Sequence, residues 1–233
     1  MKLALVGYGK MGHMLERLAP DFGFEVKLVL DEFNNANGEG LTAENFAQVD
    51  AAIEFTAPPI AVGNLLRLAE LKVPTVCGTT GWFGDLERVR AAYESNDGTL
   101  VYSANFSIGV NIFRRVVSEA ARWMSRQPGY ESWAWEIHHS AKKDAPSGTL
   151  LRLVEDMKAA GYTGRIDVAS NRAGAHPGTH EIGFDSVADT VTLRHVARGR
   201  EGFAHGALQA AQWASAHKGV FEFAEVLFSE GKE

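Results

Sequence analysis

The sequence predicts an α/β chain in two parts: a parallel sheet wrapped by helices, and a smaller α+β part with a mixed sheet. Three observations predict it. Over residues 1–106, short apolar runs alternate with stretches whose apolar residues recur at helical spacing. Past Phe106 that rhythm gives way to one long helix and to strands that alternate from face to face. The alanine-rich stretch 204–217 then reads as a helix that returns to the first part. The expected division is 1–106 with 204–233 for one domain and 107–203 for the other.

The elements follow in order. Leu3-Ala4-Leu5-Val6 is a short apolar run stopped by Gly7, as in a buried parallel strand. Met11, Leu15 and Leu18 give the first helix, and Pro20 helps end it. Val26–Leu30 and Ala51–Phe55 are the next two strands. Pro58-Pro59 suits a helix start, where the missing N–H has no partner to lose, and Val62, Leu65, Leu66 and Ala69 supply that helix's apolar face. Thr75-Val76-Cys77, a helix marked by Leu86, Val89 and Tyr93, and Leu100-Val101-Tyr102 complete the first part. In the second, Ile112, Val116, Ala120 and Trp123 fit one helix face. Ser132–His138 alternates, with Trp133, Trp135 and Ile137 on one side and Ala134, Glu136 and His138 on the other. Residues 150–160 read as helix, 161–180 as a Gly-, Asn- and Pro-rich loop, and 180–184 and 190–196 as strands.

Composition sets outer bounds. The chain has 233 residues, 45% hydrophobic and 22% charged, which suits a packed globular protein. A net charge of −6 argues against nucleic acid as the main partner. The single cysteine, Cys77, has no intrachain partner, so a reducing compartment is expected. Met1-Lys2 leads straight into the first strand with no long signal-like segment, and no stretch approaches the roughly 18 apolar residues of a membrane span. The expected place is the cytoplasm, with no membrane contact.

Gly7-Tyr8-Gly9-Lys10-Met11-Gly12 is a GxGxxG sequence between a predicted strand and a predicted helix. That placement makes the first part a Rossmann-type dinucleotide-binding domain. The first glycine permits the turn, the second admits the pyrophosphate, and the third lets helix and strand pack closely. The helix start then offers open N–H groups to phosphate. Asp31 lies 19 residues after Gly12, at the end of the second strand, where a carboxylate accepts the ribose hydroxyls of the adenosine half. Asp31 and the following Glu32 disfavour a 2′-phosphate, so NADH is preferred; Lys10 in the loop keeps NADPH open.

The stretch from Glu136 to Thr149 carries the second site. His138 and His139 end a strand, Lys142 and Lys143 follow in a short connection, and Asp144 or Ser147 can cap the next helix. Ser147, Gly148 and Thr149 then present N–H groups and two hydroxyls at the positive end of a helix, an anion site. A histidine there can carry a proton near neutral pH, and a lysine can do the same if its surroundings lower its pKa. Each feature alone has a plain explanation: a strand end, a solvated pair, a cap. Their convergence beside a dinucleotide domain points to a small dicarboxylate as substrate. A metal site is not expected, since adjacent strand histidines point to opposite faces and Cys77 is far off in sequence.

These residues resemble the dihydrodipicolinate reductase family, also called 4-hydroxy-tetrahydrodipicolinate reductase, over nearly the whole chain. The resemblance is carried by Gly7–Gly12, Ile53-Glu54-Phe55-Thr56, Gly78-Thr79-Thr80-Gly81, Ala104-Asn105-Phe106-Ser107 with Gly109-Val110-Asn111, and His138-His139 through Lys142 to Asp144-Ala145-Pro146-Ser147-Gly148-Thr149. It implies reduction of a cyclic imine-type dicarboxylate by NADH or NADPH to tetrahydrodipicolinate, in lysine and diaminopimelate synthesis. It implies His138 as general acid and Lys142 as its proton-donating partner. His139, Ser147, Gly148 and Thr149 become substrate contacts, and Gly78, Thr79, Thr80, Ala104, Asn105 and Phe106 the nicotinamide-side loops. It also implies that the second domain mediates oligomerisation: a homo-oligomer, a tetramer in the family, with a dimer left open by a short 160–180 stretch. The competing readings are another Rossmann-type dehydrogenase of a small carboxylate and a non-catalytic dinucleotide sensor. Neither needs the cluster at 138–149.

Overall fold

The computed structural model describes residues 1–229 and divides into two compact units, Met1–Ile108 with the segment from Glu201 onward, and Gly109–Arg200. The chain opens with β1 (Lys2–Val6), α1 (Lys10–Leu18), β2 (Glu25–Leu30) and the short α2 (Ala43–Phe46). It continues through β3 (Ala51–Glu54), α3 (Pro58–Glu70), β4 (Thr75–Cys77), α4 (Leu86–Ser95) and β5 (Thr99–Tyr102). Next come α5 (Ile108–Met124), β6 (Glu131–His138), α6 (Gly148–Ala159), β7 (Ile166–Arg172), β8 (Thr179–Asp185) and β9 (Thr190–Val196). It closes with α7 (Glu201–Ala214), β10 (Gly219–Glu222) and α8 (Phe223–Phe228).

The first unit is a six-stranded parallel sheet in the order β10-β5-β4-β3-β1-β2. Its inner strands β1, β3, β4 and β5 are buried almost throughout because both faces are covered. Leu3, Leu5, Ile53, Val76 and Val101 meet α1 and the alanine face of α7. Ala4, Val6, Ala52, Cys77 and Leu100 lie on the other face, against Leu65, Leu68, Ala69 and Val89 of α3 and α4. The alanine content of α7 is a packing requirement. A Cβ on Gly206 would collide with the carbonyl oxygen of Phe106, so the helix runs almost in backbone contact with the loop after β5.

The second unit is a four-stranded mixed sheet, β7-β6-β8-β9, parallel between β6 and β7 and antiparallel elsewhere. Helices α5 and α6 pack on one face through Phe113, Val117, Ala121, Leu150, Leu153 and Met157, over Ala134, Ile182 and Phe184 of the sheet. Arg114 and Asp156 join the two helices by a two-pronged ion pair at 2.7 and 3.1 Å.

The fold class is the one expected, with three corrections to its detail. Residues 161–180 are not all loop, because Ile166–Arg172 forms β7. This edge strand is exposed or half-buried throughout, so it lacks the apolar alternation that marks a strand in sequence. The stripe Ile112, Val116 and Trp123 on α5 is the outer one, 46%, 46% and 58% exposed, and the helix buries Val110, Phe113, Val117 and Ala121 instead. The C-terminal stretch adds a sixth strand, β10, beside β5, too short to stand out in sequence.

The packing of α7 predicts opposite outcomes for two glycine-to-alanine changes. Gly206→Ala should destabilise by about 2 kcal/mol, because backbone must shift to admit one methyl. Gly63→Ala, on the exposed side of α3 with open space around it, should stabilise by up to ~1 kcal/mol. Urea melts of both variants check the pair.

Candidate functional site

In the first unit the glycine loop joins β1 to α1. Gly7 has φ +100°, and a Cβ there would collide with the Phe55 carbonyl. A Cβ on Gly12 would lie 2.5 Å from Gly7 O. Both glycines therefore serve the close packing of helix and strand. Gly9 is different: nothing lies within 4 Å of its missing Cβ. It is the N-cap of α1, with no side chain capping the first turn, so the N–H groups of Lys10, Met11 and Gly12 remain open for an anion. A pyrophosphate fits that cradle. Tyr8 is held by Glu16 and its ring lies 4.0 Å from that of His13, Lys10 is exposed, and Met11 packs on the core.

Asp31 follows β2. Its Oδ1 accepts the N–H groups of Phe33 and Asn34 at 2.9 and 3.2 Å, and Asn34 Oδ1 accepts Asp31 N–H at 2.8 Å. The turn is thus locked through one carboxylate oxygen, Oδ1. At the same carboxyl edge of the sheet, the Phe55 ring covers Gly78, Thr79 is buried, and Thr80 is exposed. After β5, Ala104 is exposed and Asn105 is fixed by Ser103 and Ser107. Phe106 turns inward, its ring 4.8 Å from that of Phe223, so it forms the floor of this loop.

In the second unit the site is organised by a residue the sequence reading had placed only on a strand face. Glu136 is completely buried. Its Oε1 accepts Ser147 N–H at 2.8 Å, Ser170 Oγ–H at 2.5 Å and an Arg172 guanidinium N–H at 2.9 Å. Its Oε2 takes the Ser147 hydroxyl and lies 3.4 Å from His180 Nε2. Sheet register explains the meeting: Glu136 is paired with Ser170 on β7 and with His180 on β8. Burial alone would raise the Glu136 pKa; the bonds from His180, Ser147, Ser170 and Arg172 outweigh it and hold the group well below the ordinary carboxylate range.

Ser147 is therefore spent on structure. Its hydroxyl donates to Glu136 and accepts Leu150 N–H at 3.2 Å as the N-cap of α6. Of the first-turn donors of α6, Gly148 and Thr149 N–H stay open among the described residues, beside the Thr149 hydroxyl, an arrangement that could hold an anion. Gly148 is exposed and Thr149 half-buried.

His138, two residues along β6 from Glu136, is buried, and its Nδ1 lies 3.5 Å from Glu136 Oε2 without hydrogen-bond geometry. Burial, opposed by Glu136 and aided by His180, Lys142 and Arg172, pushes its pKa down to about 4. The imidazole is thus neutral at pH 7. His139 is half-buried and its carbonyl accepts Lys142 N–H at 3.1 Å in the turn that follows. Lys142 Nζ is 2.8 Å from Asp144 Oδ1, and that bond lowers the Asp144 pKa. Lys143 is exposed. Glu136, His138 and His180 lie close enough together to suggest a metal site, but the Arg172 guanidinium already supplies the positive charge at Glu136.

Sequence reasoning missed Glu136, Ser170, Arg172 and His180 as parts of one network. The one signal was Glu136 and His138 sharing a strand face opposite Trp133, Trp135 and Ile137. Alternation names the two faces without saying which is inside; the Glu136 side is the buried one.

Two predictions follow from these contacts. Glu136→Gln cannot accept from all five donors, and should cost about 3 kcal/mol of stability while loosening the α6 anion site. Chemical denaturation and dicarboxylate titration measure the two effects. Because the His138 pKa is lower in the fold than its ordinary 6.5, the unfolded chain takes up the proton first as pH falls. Its contribution should be complete above pH 6.5 and lost as pH drops toward about 4. An NMR titration of His138 with a midpoint near 6.5 would refute this.

Comparison with known proteins bears on the whole chain. Residues 1–106 match the family model described as "Dihydrodipicolinate reductase, N-terminus", and residues 109–227 match "Dihydrodipicolinate reductase, C-terminus". The 4-hydroxy-tetrahydrodipicolinate reductase of Christiangramia forsetii is 32% identical over 97% of this chain and 98% of its own length. That of Bdellovibrio bacteriovorus is 34% identical over 84% of each. Among solved structures, the dipicolinate-bound dihydrodipicolinate reductase of Paenisporosarcina sp. TG-14 superimposes with a TM-score of 0.80, covering 97% of this chain and 99% of that one at 21% identity.

Proposed function

The chain belongs to the dihydrodipicolinate reductase family, and on that premise we propose that it reduces 4-hydroxy-tetrahydrodipicolinate, or the dihydrodipicolinate derived from it, to tetrahydrodipicolinate in lysine and diaminopimelate synthesis. The observation that carries the reading is the pair of open helix starts. Gly9–Gly12 offers a phosphate cradle in one unit, and Gly148-Thr149, buttressed by Glu136, offers a carboxylate cradle in the other. The first unit binds the dinucleotide and the second the dicarboxylate.

A bound NADH or NADPH supplies the hydride. Gly148 and Thr149 hold one substrate carboxylate by their N–H groups, and His139 approaches it from the end of β6. Hydride addition builds negative charge on the substrate ring, and a proton must follow. Lys142 is the donor in this reading, its amine standing in the connection just after His138-His139, 2.8 Å from Asp144 Oδ1. His138, neutral, orients the ring by hydrogen bonding and keeps positive charge off the buried side of Lys142. His138 is thus a weaker candidate for the acid than its place in the motif implies.

Asp31 favours NADH. With Oδ1 bound into its own turn, the carboxylate cannot swing away from a 2′-phosphate, and like charges would meet there. A homo-oligomer, a tetramer or a dimer, suits the outer face of the mixed sheet, where Trp133, Trp135 and Ile137 are only half-buried and Val168 is exposed. No described helix is long and apolar enough to cross a membrane. The unpaired, buried Cys77 and the biosynthetic reaction suit the cytoplasm.

The expected kinetics are specific. Lys142→Ala should lower kcat at least about a hundredfold with little change in cofactor KM, and kcat/KM should be higher with NADH than with NADPH. A nicotinamide absorbance assay on enzymatically generated substrate reads both. Absence of cofactor oxidation by the wild-type chain would sink the functional reading.

A further inference from the structure

Glu54 is the last residue of β3, in the middle of the parallel sheet, and it is completely buried. Burying a carboxylate is costly unless its oxygens are well bonded. Among the described residues its partners are a hydroxyl, an amide and a thiol, with no cation: Thr56 Oγ1, Asn64 Nδ2 at 3.4 Å and Cys77 Sγ at 3.1 Å. Burial, and then the charge of Glu54, push the Cys77 pKa well up, so the thiol keeps its proton to donate. The reaction described above uses none of this.

The arrangement ties together the two loops that leave the carboxyl edge of β3 and β4. Thr56 donates its hydroxyl to Glu54 and its N–H to Thr79 Oγ1 at 2.7 Å. Gly78 N–H donates to the carbonyl of Glu54 at 2.9 Å. Trp82 holds the other side of the second loop through Thr79 O at 2.8 Å. Both the backbone and the side chain of Glu54 thus clamp the Gly78-Thr79-Thr80 loop to the Phe55-Thr56 loop.

We propose that Glu54 is a positioning residue for the nicotinamide end of the cofactor, acting through Thr56 on Thr79 and Thr80. This rests on the functional reading above, in which those loops face the nicotinamide. A carboxylate suits the task because it only accepts: Thr56 and Asn64 donate to one oxygen while Cys77 donates to the other. A glutamine has one acceptor oxygen and an NH2 group, so one of the ties must be given up. The effect should fall mainly on the nicotinamide half of the cofactor, because among the described residues the glycine loop and Asp31 make no hydrogen bond to the side chains of Glu54 and Thr56, although Gly7 packs against Phe55 and Thr56.

The test compares NADH with ADP-ribose, which lacks nicotinamide, by calorimetric titration of the full chain, with dipicolinate as a third ligand. Glu54→Gln should raise the NADH Kd about tenfold or more, equivalent to ~1.4 kcal/mol, and leave the Kd of ADP-ribose and dipicolinate unchanged. Thr56→Val, which removes the donor without disturbing the buried acid's shape, should do the same and serves if Glu54→Gln fails to fold. Wild-type NADH affinity in Thr56→Val or in folded Glu54→Gln overturns the proposal. So does an equal loss for ADP-ribose, which marks general loosening of the sheet. A wild-type chain that binds neither NADH nor NADPH overturns the functional reading itself, a distinct result.

Discussion

A negative charge with no access to water dominates the second unit. Glu136 sits on the helix-facing side of a strand, where an apolar residue would cost nothing, and it is stable there only because every neighbour turns a donor toward it. Those donors come from three elements. Arg172 and Ser170 bring in β7, His180 brings in β8, and Ser147 brings in the start of α6. The parallel pairing of β6 with β7 is thus a charge requirement as much as a ladder of backbone bonds. The start of α6 is held by the same demand, and the local geometry of the anion site depends on it.

Glu136 also bears on the chemistry. Its charge favours a proton on His138 two residues away, but burial of the imidazole outweighs it. The adjacent cations tip the balance further. Two residues that look in sequence like an acid–base pair are therefore set apart by the burial of the imidazole. Lys142 is also the more exposed of the two side chains.

What was legible in the sequence follows from the range of each interaction. The glycine loop is a local device: turn, helix start and acid lie within one βαβ unit, and its residues take the places the motif assigns them. The Ser147 cap was equally local, but its role was not. Local sequence could not show that the Ser147 hydroxyl also serves a buried acid eleven residues away. Arg172 and Ser170 were invisible for a further reason. They lie on an edge strand whose sequence lacks apolar alternation, so the stretch read as loop and its side chains were assigned to no face. The face of α5 was misjudged because Ile112, Val116 and Trp123 form as regular an apolar stripe as the buried one. Periodicity finds a stripe without saying which side the sheet is on.

The alanine helix α7 has a consequence for how the molecule is made. The sheet face of Leu5, Ile53, Val76 and Val101 is covered by α7, yet the entire second unit is translated between β5 and that helix. During synthesis the first five strands leave the ribosome before their cover exists, and the sixth strand follows later still. The contiguous second unit can fold on emergence, whereas the first unit must wait with the part of its sheet that α7 covers still open, α1, α3 and α4 already being in place. The nascent chain is therefore most exposed to aggregation while its middle third is being made.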